Sequence, residues 1–252
     1  MRLLTLARDL RRRKAREHQS LFAVEGVRAV EELLRSPLVI RGALTAPQLD
    51  GAPRGVALRK QLADRGIEHS AVTEAEFRSA AETESPQGVL AIAEIPNRTL
   101  DGAIGSGNVR VLVLDAVQDP GNVGTILRTA AALGATATVS LPGTVDLWNA
   151  KVVRAAMGAH FTHAAFSGTT DELLTFLRTK DIELWGTDAK GEPVGNSPTP
   201  GRLALAMGNE GGGLSSSVRD AASRLVSLPI AAGVESLNVA VACGILLYRL
   251  RE

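Results

Sequence analysis

Aromatic side chains are nearly missing from this chain of 252 residues: Phe, Trp and Tyr together make up 3%. With 45% hydrophobic residues, the core must be aliphatic, and it is large enough for one big domain or two modest ones. The same scarcity excludes a ligand surface whose affinity comes mainly from stacked rings. Cys243 is the single cysteine, so no intramolecular disulfide can form, and its place in the apolar run 239–247 marks it as a small buried hydrophobe. No stretch reaches the ~20 apolar residues of a membrane-spanning helix. The apolar segment at the basic N-terminus, residues 3–7, is too short for a signal peptide. A soluble, cytoplasmic protein with no membrane partner is expected.

Charge of one sign is also lacking overall. The net charge of +1 excludes bulk electrostatic attraction as the main binding mode. The cations are concentrated instead. Arg2, Arg8, Arg11, Arg12, Arg13, Lys14 and Arg16 face a single acid, Asp9, within the first 16 residues. Such an arm fits either a contact with phosphate backbones or a solvated amphipathic helix.

Periodicity divides the chain. Residues 3–20 read as one basic helix. Short strands at 21–26, 39–44, 67–72 and 88–95 then alternate with helices at 27–35 and 56–65 and a third capped by Thr73 with Glu76. This is a small α/β domain over residues 1–96. Residues 97–108 are rich in turn formers and form a linker. From residue 109 the strands become longer and nearly continuous in apolar character, at 109–116, 135–141, 182–187, 203–207 and 225–229. Helices at 125–133, 148–157, 171–180, 215–222 and 237–251 fit between and after them. The pattern predicts a parallel sheet covered on both faces over 109–252, with a turn-rich loop at 188–201 that is either mobile or in contact with substrate.

Open parallel sheets bind ligands beyond the carboxyl ends of their strands. Three blocks place glycines and polar residues there: VLVLDAVQDPGNVGTILRTAAALGA (111–135), LALAMGNEGGGL (203–214) and SLPIAAGVESLNVAVACGILL (227–247). A dinucleotide fingerprint does not fit, because the glycine spacing is wrong and ATATVSLPGT offers no acid for a ribose. A P-loop does not fit either, since no Lys-Ser or Lys-Thr follows the glycines after Met207.

Together the blocks resemble the three motifs of the SpoU family of RNA ribose 2′-O-methyltransferases. DPGNVGTILRTAAALGA matches the first, ALAMGNEGGGL the second and LPIAAGVESLNVAVACGILLY the third. KVVRAAMGAHF (151–161) matches the segment between the first and second. FAVEGVRAVEELL is similar to the ribosomal-protein-like (L30e-like) substrate-binding domain that precedes the catalytic domain in many members. The resemblance implies an α/β fold with a deep trefoil knot in the catalytic domain. It also implies S-adenosylmethionine as methyl donor, a homodimer with the last helix near the interface, and no metal.

By position, the resemblance assigns the cofactor to Met207, Gly208, Asn209, Leu228, Ile230, Ser236, Leu237, Asn238 and Val239. It assigns catalysis to Asn122, Arg128, Glu210 and Asn238. Arginine is a permanent cation, so holding a phosphate and stabilising charge on the 2′-oxygen suits Arg128 better than a base role. Glu210 can accept hydrogen bonds from Asn122 or Arg128, or orient the ribose. Asn122 and Asn238 fit either catalysis or crosslinking of loops. Lys151 and Arg154 are expected to meet RNA phosphate, with a plain salt bridge as the alternative, and Arg11, Arg12, Arg13 and Lys14 are the further expected RNA contacts. Ala156 departs from the family pattern, which often has serine there. Ribosomal RNA of the large subunit is the expected substrate and transfer RNA the alternative. A non-catalytic RNA-binding protein on the same fold and a nucleotide-binding oxidoreductase are the competing classes. The first would lose Arg128, Glu210 or Asn238, and the second needs the missing acid.

Overall fold

The computed structural model describes residues 2–251 apart from 196, 197, 232 and 235. Residues 196 and 197 of the expected loop, residues 232 and 235 of the third motif, and both chain ends lie outside the described residues. Contacts group the chain into two compact units, residues 1–97 with 148–162, and residues 98–147 with 163–252. The division differs from a single cut at the linker, because the segment 148–162 packs with the first unit.

The first unit begins with α1 (Arg2–Asp9) and α2 (Arg13–Gln19), where one continuous helix was expected. The break at Arg12, which is extended, frees carbonyls at Leu10 and Arg11. Arg16 supplies their partner: its buried guanidinium donates Nη1 to both oxygens, at 2.7 and 3.0 Å. There follow β1 (Leu21–Glu25), α3 (Val27–Arg35), β2 (Ile40–Thr45), α4 (Pro53–Asp64), β3 (His69–Ala71), α5 (Glu74–Ala80) and β4 (Val89–Glu94). Thr73 and Glu76 close a reciprocal capping box on α5, as expected. The strands form one sheet in the order β1-β4-β2-β3, antiparallel except for β2 with β3.

The second unit holds α6 (Leu100–Ala103), β5 (Val109–Leu114), α7 (Pro120–Ala132) and β6 (Ala137–Ser140). Next in the chain comes α8 (Ala150–Ala155), which belongs to the first unit. The second unit then continues with β7 (Ala165–Ser167), α9 (Thr170–Thr179), β8 (Glu183–Pro193), β9 (Arg202–Met207), α10 (Ser216–Ala221), β10 (Arg224–Ser227) and α11 (Val239–Arg249). Its six strands run parallel in the order β10-β8-β9-β5-β6-β7. Valines 109, 111 and 113 of β5 pack with Ala204, Ala206 and Leu184 in an aliphatic core.

Two boundaries correct the sequence reading. Residues 188–193 belong to β8 and not to a loop, because Glu192 and Pro193 pair with Val226 and Ser227 of β10. Gly191 makes this possible: a Cβ there would lie 2.7 Å from the backbone of Leu225. Helix α7 starts at Pro120 and not near Thr125. Asp119 caps it by accepting from Asn122 N at 2.7 Å, and Pro120 occupies the first turn, where its missing N–H costs nothing.

Three of the few aromatic side chains cluster in the first unit, together with a histidine. Phe22 lies 4.4 Å from Trp148 and 6.1 Å from Phe161, ring centre to ring centre, and Trp148 lies 4.0 Å from His160. This cluster fastens the 148–162 segment to β1. Phe22→Ala is expected to cost about 3–5 kcal/mol of stability, measured by urea denaturation. In the second unit, burial and the charge of Arg98 push His163 down from 6.5 to about 4, with Nε2 2.8 Å from the Thr138 hydroxyl. The folded chain therefore binds fewer protons than the unfolded chain between those values. The resulting stability is full above pH 6.5 and is lost as pH falls through about 4. His163→Gln should flatten this part of the pH–stability profile, and an unchanged profile would show that His163 does not set it.

Candidate active site

Strands β5, β9 and β10 all deliver their following loops to the carboxyl edge of the parallel sheet, where the twist of such sheets leaves a crevice. The first loop leads into α7, the second into α10 and the third into α11. The first two loops are tied together at the strand ends. Asp115 N donates to Met207 O at 2.9 Å, and the buried Asp115 carboxylate accepts from Ser215 N at 2.6 Å.

Asn209 organises the second loop. Its Oδ1 accepts from Gly211 N and Gly212 N, its Nδ2 donates to Ala116 O at 2.9 Å, and its backbone exchanges two hydrogen bonds with Gly213. Gly208 is required by this closure. A Cβ there would lie 2.3 Å from the Gly213 carbonyl carbon and 2.5 Å from Leu214 N.

Asn122 joins all three loops. Its Nδ2 donates to Glu210 Oε1 at 2.9 Å, and its Oδ1 accepts from Asn238 Nδ2, also at 2.9 Å. Asn238 in turn caps α11, with Oδ1 accepting from Ala240 N and Val241 N. Residues 116 positions apart in the chain thus share one hydrogen bond. Arg128 stands on the exposed face of α7 and makes no hydrogen bond or ion pair among the described residues, so it does not meet Glu210 directly. Met207 and Val239 are buried at the ends of β9 and α11. Leu228 is half-buried, whereas Ile230, Ser236 and Leu237 are exposed. No backbone hydrogen bond ties Leu228, Ile230, Ser236 or Leu237 to another described residue.

The pattern of the SpoU rRNA Methylase family matches residues 109–248, and that of the MRM3-like substrate binding domain matches residues 5–91. The chain belongs to the SpoU rRNA methylase family. This SpoU chain is 34% identical over 245 residues to the 23S rRNA (guanosine(2553)-2′-O)-methyltransferase RlmP of Bacillus subtilis, covering 97% of the chain and 94% of that relative. It is 35% identical over 162 residues to the 23S rRNA (adenosine(1067)-2′-O)-methyltransferase of Streptomyces azureus, covering 62% and 60%. Among solved structures, it matches the SpoU methyltransferase AviRb of Streptomyces viridochromogenes, solved in complex with the cofactor AdoMet. The TM-score is 0.89 at 27% identity, over 99% of this chain and 96% of that one.

The other expected contacts of the SpoU chain lie in the first unit. Arg11 donates to Ser79 O, Arg12 pairs with Asp9 and Arg13 with Glu17, while Lys14 is exposed and unpaired among the described residues. Lys151 is exposed on α8, and Arg154 is half-buried on it. Ala156 is fully buried, so its methyl group belongs to packing. Sequence reasoning missed Asp115, whose only signal was an acid closing an apolar strand. Gly208→Ala is expected to lower the unfolding free energy by ~1–3 kcal/mol, measured by urea denaturation. An unchanged midpoint would show that the second loop yields to the added methyl.

Proposed function

We propose that this chain transfers a methyl group from S-adenosylmethionine to a ribose 2′-hydroxyl of 23S ribosomal RNA. The carrying observation is the Asn122 amide, which joins Glu210 and Asn238 across three loops at one sheet edge. Membership of the SpoU family and the 97% coverage by a 23S rRNA methyltransferase support the substrate class. The transfer RNA reading has weaker support: the chain shares 57% of its length with a structure described for 2-OH methylation of tRNA.

The residues present suit the cofactor. Gly208 and its neighbours form a tight backbone cradle. The backbone of Leu228, Ile230 and Leu237 is unengaged among the described residues, and Ile230 and Leu237 add apolar surface, 39% and 38% exposed. When bound, S-adenosylmethionine supplies an electrophilic methyl on a positive sulfonium. The chain's own task is to align the 2′-oxygen in line with that methyl and to keep water out. Glu210, held through Oε1 by Asn122, has its second carboxylate oxygen left to accept from the ribose. Arg128 holds the adjacent phosphate and stabilises charge growing on the 2′-oxygen.

In this reading residues 109–252 are the catalytic domain and carry the deep trefoil knot, residues 97–108 link, and residues 1–96 are an L30e-like RNA-binding domain. The site of action is the cytoplasm, where the ribosomal RNA lies. A homodimer is supported by one apolar face of α11, extended by Leu237 two residues before the helix. Leu237, Val241, Ile245 and Tyr248 recur at helical spacing and are 38–54% exposed.

Arg128→Ala is expected to lower methyl transfer to 23S rRNA by roughly 10²–10³-fold without weakening cofactor binding. Transfer of labelled methyl and calorimetry check the two halves, and near wild-type transfer would remove Arg128 from the mechanism. Lys14→Ala should reduce the slope of log affinity against log salt by about one if Lys14 meets a phosphate, and leave it unchanged otherwise.

A further inference from the structure

A cavity of about 300 Å³ opens in the first unit, at the lower end of the ~300–1,000 Å³ range of small-molecule sites. Its walls come from residues 25–32, 83–87 and 154–157, none of them in the three loops described above.

The acceptors in these walls are engaged by the protein itself. The Glu25 carboxylate accepts from Glu82 N at 2.8 Å and from the Thr83 hydroxyl. Glu32 accepts from Arg35 at 2.8 Å, and Gln87 Oε1 accepts from Val27 N at 2.9 Å. Three donors are not engaged. Arg28 is exposed and makes no hydrogen bond or ion pair among the described residues, and the Gln87 amide NH₂ has no partner there either. Arg154 Nη1 is buried without an acceptor among the described residues. A buried donor left unpaired is costly, so such a group calls for a partner. The cavity therefore presents surplus donors on Arg28, Gln87 and Arg154, beside apolar surface from Ala29 and the 38%-exposed Met157.

A nucleotide whose base carries a carbonyl complements these walls: acceptors on the base edge, negative charge on the phosphate and an apolar base face. It must be unpaired, because pairing hides that edge. We propose that this cavity takes an unpaired uridine or guanosine of the RNA substrate. A base carbonyl accepts from Arg154 Nη1, and the phosphate lies against Arg28. The inference rests on the RNA-modifying reading above and assigns Arg154 to a base where the motif alone suggested a phosphate.

The test is cross-linking of the full wild-type chain to 23S rRNA carrying 4-thiouridine or 6-thioguanosine, followed by peptide mapping. Cross-links to residues 25–32, 83–87 or 154–157 are expected. Two variants accompany it: Ala29→Trp, which fills the cavity and keeps its polar groups, and Arg154→Met, which removes the donor. Each is expected to weaken RNA affinity by roughly tenfold, the loss of one good base contact, with thermal melting confirming the fold. Cross-links confined to other segments, or RNA affinity unchanged in both folded variants, would overturn the assignment. Cavity cross-links without methyl transfer by the wild-type chain would support the cavity and contradict the enzymatic reading.

Discussion

The side-chain amide of Asn122 uses both of its ends on other loops, and the candidate site depends on that arrangement. Glu210 and Asn238 follow different strands, Glu210 within the turn closed by Asn209 and Gly213 and Asn238 at the start of α11. An amide that donates to one and accepts from the other makes the position of each conditional on both. The parallel sheet makes this geometry available by bringing the carboxyl ends of β5, β9 and β10 to one edge. The capping bonds make it definite: Asp119 fixes the first turn of α7 and Asn238 fixes that of α11. Asp115 and Asn209 add two further ties between the first and second loops.

The first unit follows a different logic. Its arginines are largely engaged within the protein. Arg16 is buried as a helix-break partner, and Arg8 and Arg11 are drawn to Ser79. The dense basic arm of the sequence is therefore less of a bare positive surface than its composition suggests. The segment 148–162 carries the middle family pattern yet packs through Trp148 and Phe161 on Phe22. A segment within the SpoU-matched span thus completes the wall of a cavity whose remaining residues belong to the N-terminal region. Removing residues 1–96 would strip the cover from that aromatic cluster as well as the basic arm, so truncation cannot isolate RNA contacts.

Features decided locally were legible in the sequence. The apolar runs gave the strands, and the Thr73–Glu76 spacing gave a capping box within three residues. The same spacing at Thr169 and Glu172 makes a second box, although the helix was read as starting at residue 171. Features decided by distant partners were not legible. The extension of β8 needs β10 beside it, and the break between α1 and α2 needs the Arg16 side chain folded back. The roles of Asn122 and Asn238 stayed open because their bond spans 116 positions. The chemistry-bearing residues of the three blocks were readable as types. Their mutual geometry, and the isolation of Arg128 from Glu210, required the fold.

The central claim is that the three loops act as one unit through the Asn122 amide. A double-mutant cycle on Asn122→Ala and Asn238→Ala, reading S-adenosylmethionine affinity by calorimetry, tests it most directly. The account predicts that either single variant weakens binding and that the double variant loses less than the sum of the two, a coupling of about 0.5–3 kcal/mol. Strictly additive losses, or no loss in the single variants, would show that the loops hold their positions independently.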